Sequence, residues 1–357
     1  MKYYVVEGTS EEIFNASSKA RVDVEHILKN NEYKKIYVKS KSGVQKNKLL
    51  KWKQMLIYNL NRICWNKTFQ NLKKNDIVLI QYPIINTTYN LKKIIRKYRK
   101  KDITFVVLIH DMDSLRYNPK THGNILYNRV CKEDKYLLRE FNYIIAHNDS
   151  MKNELVKLEN DKSKIITLKL FDYLLDKNPK KIVRTKSDPI IIAGNLSPEK
   201  AKYLSQLKKI NKTEFNLFGV GFNDEVAGKN INYKGKFLPE ELLDYLEGSF
   251  GLVWDGISID TCIGGFGDYL KYNNPHKVSL YLTACIPVIV WKKSALAQFV
   301  IENNVGIAVE SLKDIPTILK NMSEDEYKKM LENTKRISKK TKNGLFLTEA
   351  LNKLKEK

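Results

Sequence analysis

The sequence predicts an α/β protein made of two parallel, doubly wound sheets, and three observations predict it. Short apolar runs alternate with amphipathic stretches through the N-terminal half, as strands joined by crossover helices do. The alternation resumes at Pro189, after a polar, basic, proline-marked interval over 171–189 that reads as the linker, with the domain change near Asn178. Finally, residues 251–291, GLVWDGISIDTCIGGFGDYLKYNNPHKVSLYLTACIPVIVW, read as strand, glycine-rich loop, helix and strand. That is the layout of a ligand site beyond the carboxyl ends of parallel strands. A chain of 357 residues is long enough for two such domains, each with its own core.

Composition narrows the class. With 43% hydrophobic and 29% charged residues the chain reads as globular and soluble. No apolar run approaches a membrane span and MKYYVVEGTSEE is no signal peptide, so the expectation is a cytoplasmic protein. Cys64, Cys131, Cys262 and Cys285 are scattered, without a CxxC or Cys/His cluster, and read as reduced thiols with no structural metal site. The formal charge of +23 would attract nucleic acid, an anionic membrane surface or nucleotide phosphates. The excess lysine is spread through every segment and no helix-turn-helix, RNA-recognition or zinc-finger pattern occurs, so nucleic acid is not expected.

In the first half, Tyr3–Val6, Ile36–Val38, Ile77–Gln81, Ile103–His110, Tyr143–His147 and Ile165–Leu170 are strand candidates. Helices are expected over 18–30, 48–72, 88–101, 124–140 and 150–159. The first strand-to-helix turn, EGTSEEIFNASSKAR, gathers Asn15, Ser17, Ser18, Lys19 and Arg21 where a loop feeds a helix. That is a place to hold a phosphate or a sugar, or simply a solvated helix cap. It has no GxGxxG dinucleotide fingerprint. Helix 91–101, LKKIIRKYRKK, sets Leu91, Ile94, Ile95 and Tyr98 on one stripe with basic residues elsewhere. Core packing explains the stripe; the basic face makes anionic lipid headgroups a candidate partner.

The turn VVLIHDMDSLRY, 106–117, brings His110, Asp111 and Asp113 to the carboxyl end of a strand. Two chemistries compete. DMD could be a metal-binding DxD pair; alternatively a carboxylate or His110 takes a proton from an acceptor hydroxyl. Asp111 is the first candidate for such a base, His110 or Asp113 the second.

In the second half, strand Ile190–Ala193 runs into Gly194-Asn195-Leu196-Ser197-Pro198, and Phe215–Val220 is the next strand. INYKGKF then leads to a helical turn at Pro239. Later come Gly251–Trp254, Ile286–Trp291, helix 294–303, strand 305–309 and helices over about 313–356. Within the central stretch, Asn274 is a favoured N-cap and Pro275 suits the first helical position. Lys277 then falls in the first turn, where a cation opposes the helix dipole unless an anion such as a diphosphate docks there.

GLVWDG, the glycine loop, YNNPHK, SLYL and IPVIVW, in this order, resemble bacterial glycosyltransferases of the glucosyltransferase 3 and beta-1,6-galactofuranosyltransferase group. Cys285 departs from the pattern, which has Gly before Ile-Pro. The resemblance implies a GT-B fold: two facing Rossmann-like domains with an interdomain cleft. Residues 1–177 would bind the acceptor, 178–340 the nucleotide sugar, and 341–357 would form a C-terminal helix crossing back. It implies a UDP-sugar donor held by Gly194, Asn195, Lys200, Phe237, Asp255, Asn274, His276 and Lys277. The N-terminal loop with Ser17, Ser18, Lys19 and Arg21 would face the cleft toward a glycan acceptor, lipid-linked or protein-linked. It favours a metal-free base and requires no cofactor. No acidic residue lies between Asp268 and Glu302, so the paired glutamates of many retaining GT-B enzymes are missing and an inverting reaction is expected. The other readings are a non-catalytic nucleotide-sugar-binding subunit or a nucleic-acid binder. A homo-oligomer is as compatible with the residues as a monomer.

Overall fold

The computed structural model describes residues 1–7, 16–38, 51–85, 91–117, 123–180, 182–223 and 226–356. They form two compact units, Met1–Ile13 with Val24–Leu168 and Ala350–Lys357, and Phe14–Asp23 with Lys169–Glu349.

The first unit holds β1 (Lys2–Glu7), β2 (Lys34–Val38), β3 (Ile77–Tyr82), β4 (Thr104–Ile109), β5 (Tyr143–Ala146) and β6 (Ile165–Thr167). They pair in parallel in the order β2-β1-β3-β4-β5-β6. The central strands IVLIQY and TFVVLI are buried along nearly their whole length, because helices cover both faces of a parallel sheet. Trp65 and Phe69 of the Lys51–Phe69 helix and Tyr98 of the Leu91–Arg99 helix interlock with Phe105, with neighbouring ring centroids 5.3–5.6 Å apart.

The second unit holds β7 (Ile190–Asn195), β8 (Phe215–Val220), β9 (Ile231–Gly235), β10 (Gly251–Val253), β11 (Val288–Trp291) and β12 (Gly306–Val309). Their order is β12-β11-β10-β7-β8-β9, all parallel. Read from the other edge this is 3-2-1-4-5-6, the dinucleotide-binding order, with its switch point between β7 and β10. The sheet is locked from below by Tyr281. Its hydroxyl oxygen accepts the Ala193 N–H at 2.7 Å. Its ring lies where a Cβ on Gly251 would meet it at 2.2 Å, so only glycine fits there.

The segment expected to begin a linker is packed instead. Phe171, Asp172 and Tyr173 are buried, and the Asp172 carboxylate accepts the N–H groups of Phe346 (3.1 Å) and Leu347 (2.8 Å) at the start of the Leu345–Lys355 helix. β9 was not anticipated from the sequence, and neither was the short Gly265–Tyr269 helix inside the glycine loop.

The N-terminus of the His276–Thr283 helix differs from expectation by one residue. Pro275 occupies the N-cap position in an extended conformation and the first helical residue is His276. Asn274 stands one residue before Pro275, and its side-chain N–H goes to the Lys169 carbonyl at 2.9 Å. At the other end of this helix Cys285 has φ +57°. Its N–H reaches Leu282 O (3.1 Å) and the Ile286 N–H reaches Tyr281 O (2.9 Å). This is a Schellman ending, in which the left-handed position is usually glycine.

Candidate functional site

Each unit presents one cluster of expected site residues at the carboxyl end of its sheet.

In the second unit the cluster stands at the switch point. β7 ends in Gly194 and Asn195, both exposed. The Asn195 carbonyl-amide oxygen accepts the Ser197 N–H at 2.9 Å, which turns the chain toward Lys200. The turn lies flush on β8: a Cβ on Gly219 would stand 1.8 Å from the Gly194 carbonyl oxygen. β10 is followed directly by Trp254-Asp255-Gly256. Gly256 joins the two loops, donating its N–H to Lys200 O (3.1 Å) and accepting the Tyr203 N–H (3.2 Å). It does so at φ +108°, and a Cβ there would come within 2.3 Å of the Ile263 carbonyl oxygen.

Lys277 reaches into this corner from the first turn of its helix. Its ammonium donates to Asp255 Oδ1 at 2.9 Å and to the Trp254 carbonyl at 3.4 Å. Burial lowers its pKa; Asp255 pulls it back up and the charge of nearby Lys200 lowers it further. An ammonium carries three donors, and these contacts use two. Two lysines and one carboxylate leave the corner with a surplus positive charge beside the open end of a helix, a suitable setting for an anion. Lys200 also lies 5.7 Å from the Phe266 ring centroid, over the loop between β10 and the helix.

Beside Lys277 in the chain, Asn273 Oδ1 and His276 Nε2 are buried without a hydrogen-bond partner among the described residues. Buried polar groups are nearly always paired, so these two atoms are exceptions next to the cationic corner. The His276 ring lies 5.2 Å from the Tyr173 ring and 6.1 Å from Phe171. Burial, with Lys19 close by, brings its pKa down to about 4, so the imidazole is neutral. Phe237 lies farther along the same sheet edge, stacked on Tyr245 at 4.4 Å and 6.1 Å from Phe218. The structure thus brings together Gly194, Lys200, Asp255 and Lys277, sets His276 beside them, ties the Asn274 amide to the Lys169 carbonyl, and leaves Phe237 to one side.

Lys19 falls in the second unit and is engaged there. It donates to the Leu174 carbonyl (2.8 Å), pairs with Asp23 (2.5 Å) and lies over the Tyr173 ring. Arg21 is on the same helix and partly buried. The side chains of Ser17 and Ser18, and the whole of Asn15, lie outside the described residues.

In the first unit, the end of β4 delivers His110, Asp111 and Asp113. The His110 N–H continues the ladder to Tyr82 O (2.7 Å), and its Nε2 meets Gln81 Oε1 at 2.7 Å. Arg116 bridges both carboxylates, Nη1 to Asp111 at 3.1 Å and Nη2 to Asp113 at 2.6 Å. Asp111 is the more accessible, with 31% of its side chain exposed against 19% for Asp113. Beneath them Asp134 is fully buried, accepting the Tyr82 hydroxyl and, at 2.9 Å, the Ser114 N–H. Burial raises its pKa, and the Ser114 and Tyr82 hydrogen bonds pull it back down. It anchors the Asp113–Arg116 turn. Arg116 and Asp134 were missed from the sequence: the first is a local ion-pair partner three residues past Asp113, the second arrives only by tertiary packing.

Comparison with known proteins matches both halves of the chain. Residues 2–170 match the family described as glucosyltransferase 3-like, N-terminal domain, and residues 190–354 its C-terminal domain. The chain is 36% identical over 285 residues to beta-1,6-galactofuranosyltransferase WbbI of Escherichia coli K12, covering 78% of this chain and 79% of the relative. It is 24% identical over 278 residues to glucosyltransferase 3 of Streptococcus gordonii, covering 77% and 78%. Among solved structures, sucrose-phosphate synthase from Thermosynechococcus elongatus superposes with a TM-score of 0.65 at 12% identity, over 99% of each chain. HepE of Anabaena in complex with UDP-glucose gives 0.57 at 11% identity, over 100% of this chain and 99% of that one. These two likenesses establish the fold, and the family match establishes the kinship: this chain belongs to the glucosyltransferase 3-like family of bacterial glycosyltransferases and has the GT-B fold.

Proposed function

We propose that the protein transfers a hexosyl group from a UDP-sugar to a hydroxyl of a glycan acceptor, lipid-linked or protein-linked, with inversion at the anomeric carbon. The observation that carries this reading is the meeting of Lys200, Asp255 and Lys277 at the switch point of the second unit. In the reaction the bond from the anomeric carbon to the diphosphate breaks, a bond to the acceptor oxygen forms, and UDP departs with the electron pair. Lys200 and Lys277 offset the charge that develops on the diphosphate, an electrostatic contribution available only where water is scarce. Gly194 and the turn after it bring main chain close to the nucleotide, and Phe237 packs against its outer side.

The acceptor proton goes to Asp111, whose carboxylate Arg116 orients through their 3.1 Å ion pair and whose exposure leaves it open to a hydroxyl. His110 and Asp113 are the neighbours that would take over if Asp111 were not the base. The donor sugar is galactofuranose or glucose; DGISIDTCIGGFGDYL favours the former, in keeping with the identity to WbbI. No helix of the described residues is long and apolar enough to cross a membrane, in keeping with work at the cytoplasmic face. UDP release followed across a panel of sugar nucleotides tests the reading. Turnover restricted to UDP-hexoses supports it; tight UDP-sugar binding without turnover on any acceptor would favour a non-catalytic nucleotide-sugar-binding subunit.

A further inference from the structure

The Lys51–Phe69 helix is apolar on two opposite faces. One face sends Trp65 and Phe69 into the core of the first unit. The other carries Leu56, Leu60 and Ile63, spaced i, i+4 and i+7, with 53%, 39% and 47% of their surface exposed. Large aliphatic side chains in such a row form one stripe on a helix, and a soluble surface does not gain by showing it. Lys67 continues the row. Beside it a shallow groove is lined by Arg62, Ile63, Asn66, Lys67, Lys97 and Tyr98. The groove is closed by the neighbouring Leu91–Arg99 helix, through Tyr98 Oη to Asn66 O (3.1 Å) and Lys97 Nζ to Asn66 Oδ1 (3.4 Å).

Neither helix contains an acidic residue, and together they hold nine lysines and arginines. Arg96 is spent on Glu140, and Arg99 donates to the Glu140 carbonyl at 2.8 Å. Lys93, Lys97 and, just beyond the helix, Lys100 are exposed.

We propose that this face, the Leu56–Leu60–Ile63 stripe with the Arg62–Lys67–Lys97 groove, docks on an anionic phospholipid bilayer. The aliphatic stripe enters the boundary between headgroups and acyl chains while the cations take lipid phosphates, as for a helix lying in the plane of a membrane. A second copy of the chain is a poor occupant, since it would bring the same positive charge to the contact. Nucleic acid would use the cations but gains nothing from three exposed aliphatics with no stacking platform among them. The inference does not depend on the donor reading, because none of these residues belongs to either site cluster.

The full chain is tested by co-sedimentation with vesicles of phosphatidylcholine alone and of phosphatidylcholine mixed with phosphatidylglycerol. Wild type should bind the mixed vesicles and not the neutral ones, and added salt should release it. Leu56→Ser/Leu60→Ser/Ile63→Ser should lower the partition coefficient about tenfold or more, and Arg62→Glu/Lys67→Glu/Lys97→Glu roughly a hundredfold. Both variants should keep the wild-type melting temperature and the wild-type rate of UDP release with soluble substrates. The proposal is overturned if wild type ignores lipid charge or binds no vesicle, or if both variants bind like wild type. It is also overturned if the serine variant turns a wild-type dimer into a monomer, or if the face retains RNA and that retention survives the serine changes.

Discussion

Removing the Lys277 ammonium has two separable effects, and the structure allows each to be sized. Lys277 and Asp255 form an ion pair at 2.9 Å with side-chain exposures of only 15% and 9%. Lys277→Met leaves the Asp255 carboxylate buried without its counter-ion, which costs roughly 3–5 kcal/mol of stability. Lost UDP affinity in that variant would be ambiguous, since a disturbed fold also binds poorly. Asp255→Asn in the Lys277→Met background removes the stranded charge and should recover most of the stability. If the ammonium also grips diphosphate, the double variant still lacks a charged hydrogen bond, a loss of about 1.5–3 kcal/mol or roughly 10- to 150-fold in Kd. Urea unfolding gives the first quantity and isothermal titration with UDP the second. A double variant that regains stability and binds UDP within about threefold of wild type, under 1 kcal/mol, refutes the assignment and leaves Lys277 as a purely structural partner of Asp255.

Three further outcomes are expected. Asp111→Asn keeps the side chain's shape but not its basicity, so turnover should drop by about 10²–10⁴-fold with UDP affinity unchanged in titration; equal turnover removes Asp111 from the chemistry. His147 and His276 are both held near pKa 4 by burial, against an ordinary 6.5. As pH falls the unfolded chain takes up protons that the folded one refuses, so stability is full above 6.5 and is lost toward 4. Between about pH 7 and pH 5 each histidine should cost about 2 kcal/mol, so His147→Gln should remove about 2 kcal/mol from the pH 7 to pH 5 change in urea-derived stability relative to wild type. Cys285→Gly relieves a left-handed backbone at φ +57° and should stabilise by about 1 kcal/mol, seen as a higher melting temperature; a lower one would mean that the thiol packs better than the backbone strains.

What could be read in the sequence follows from where each signal is encoded. IVLIQY and TFVVLI announced themselves because a strand buried on both faces must be apolar throughout. INYKG of β9 gave no such sign: it is the sheet's edge, its residues are exposed or half-buried, and its chemistry is that of a loop. At the switch point, Lys277 could be singled out from the helix start that carries it, whereas Gly194, Lys200 and Asp255 came only with the family resemblance. Asn274 misled by one residue: Pro275 takes the N-cap position, and the Asn274 amide N–H ties to a distant carbonyl that local sequence does not show. Asp134 stayed hidden for the same reason. The outward stripe of the Lys51–Phe69 helix was masked by its own inward face: with apolar residues on opposite sides, the periodic signal that marks an amphipathic helix cancels.

Gly256 sets the distance between two loops that arise from different strands, using peptide groups alone. The gap that Lys200 and Lys277 flank is therefore gauged by main-chain geometry and does not drift as side chains change. The exposed side chains of the following loop, Ile257, Asp260 and Ile263, can change without altering the peptide groups that set this opening. A protein so arranged can diversify what it carries without relearning how to hold the handle.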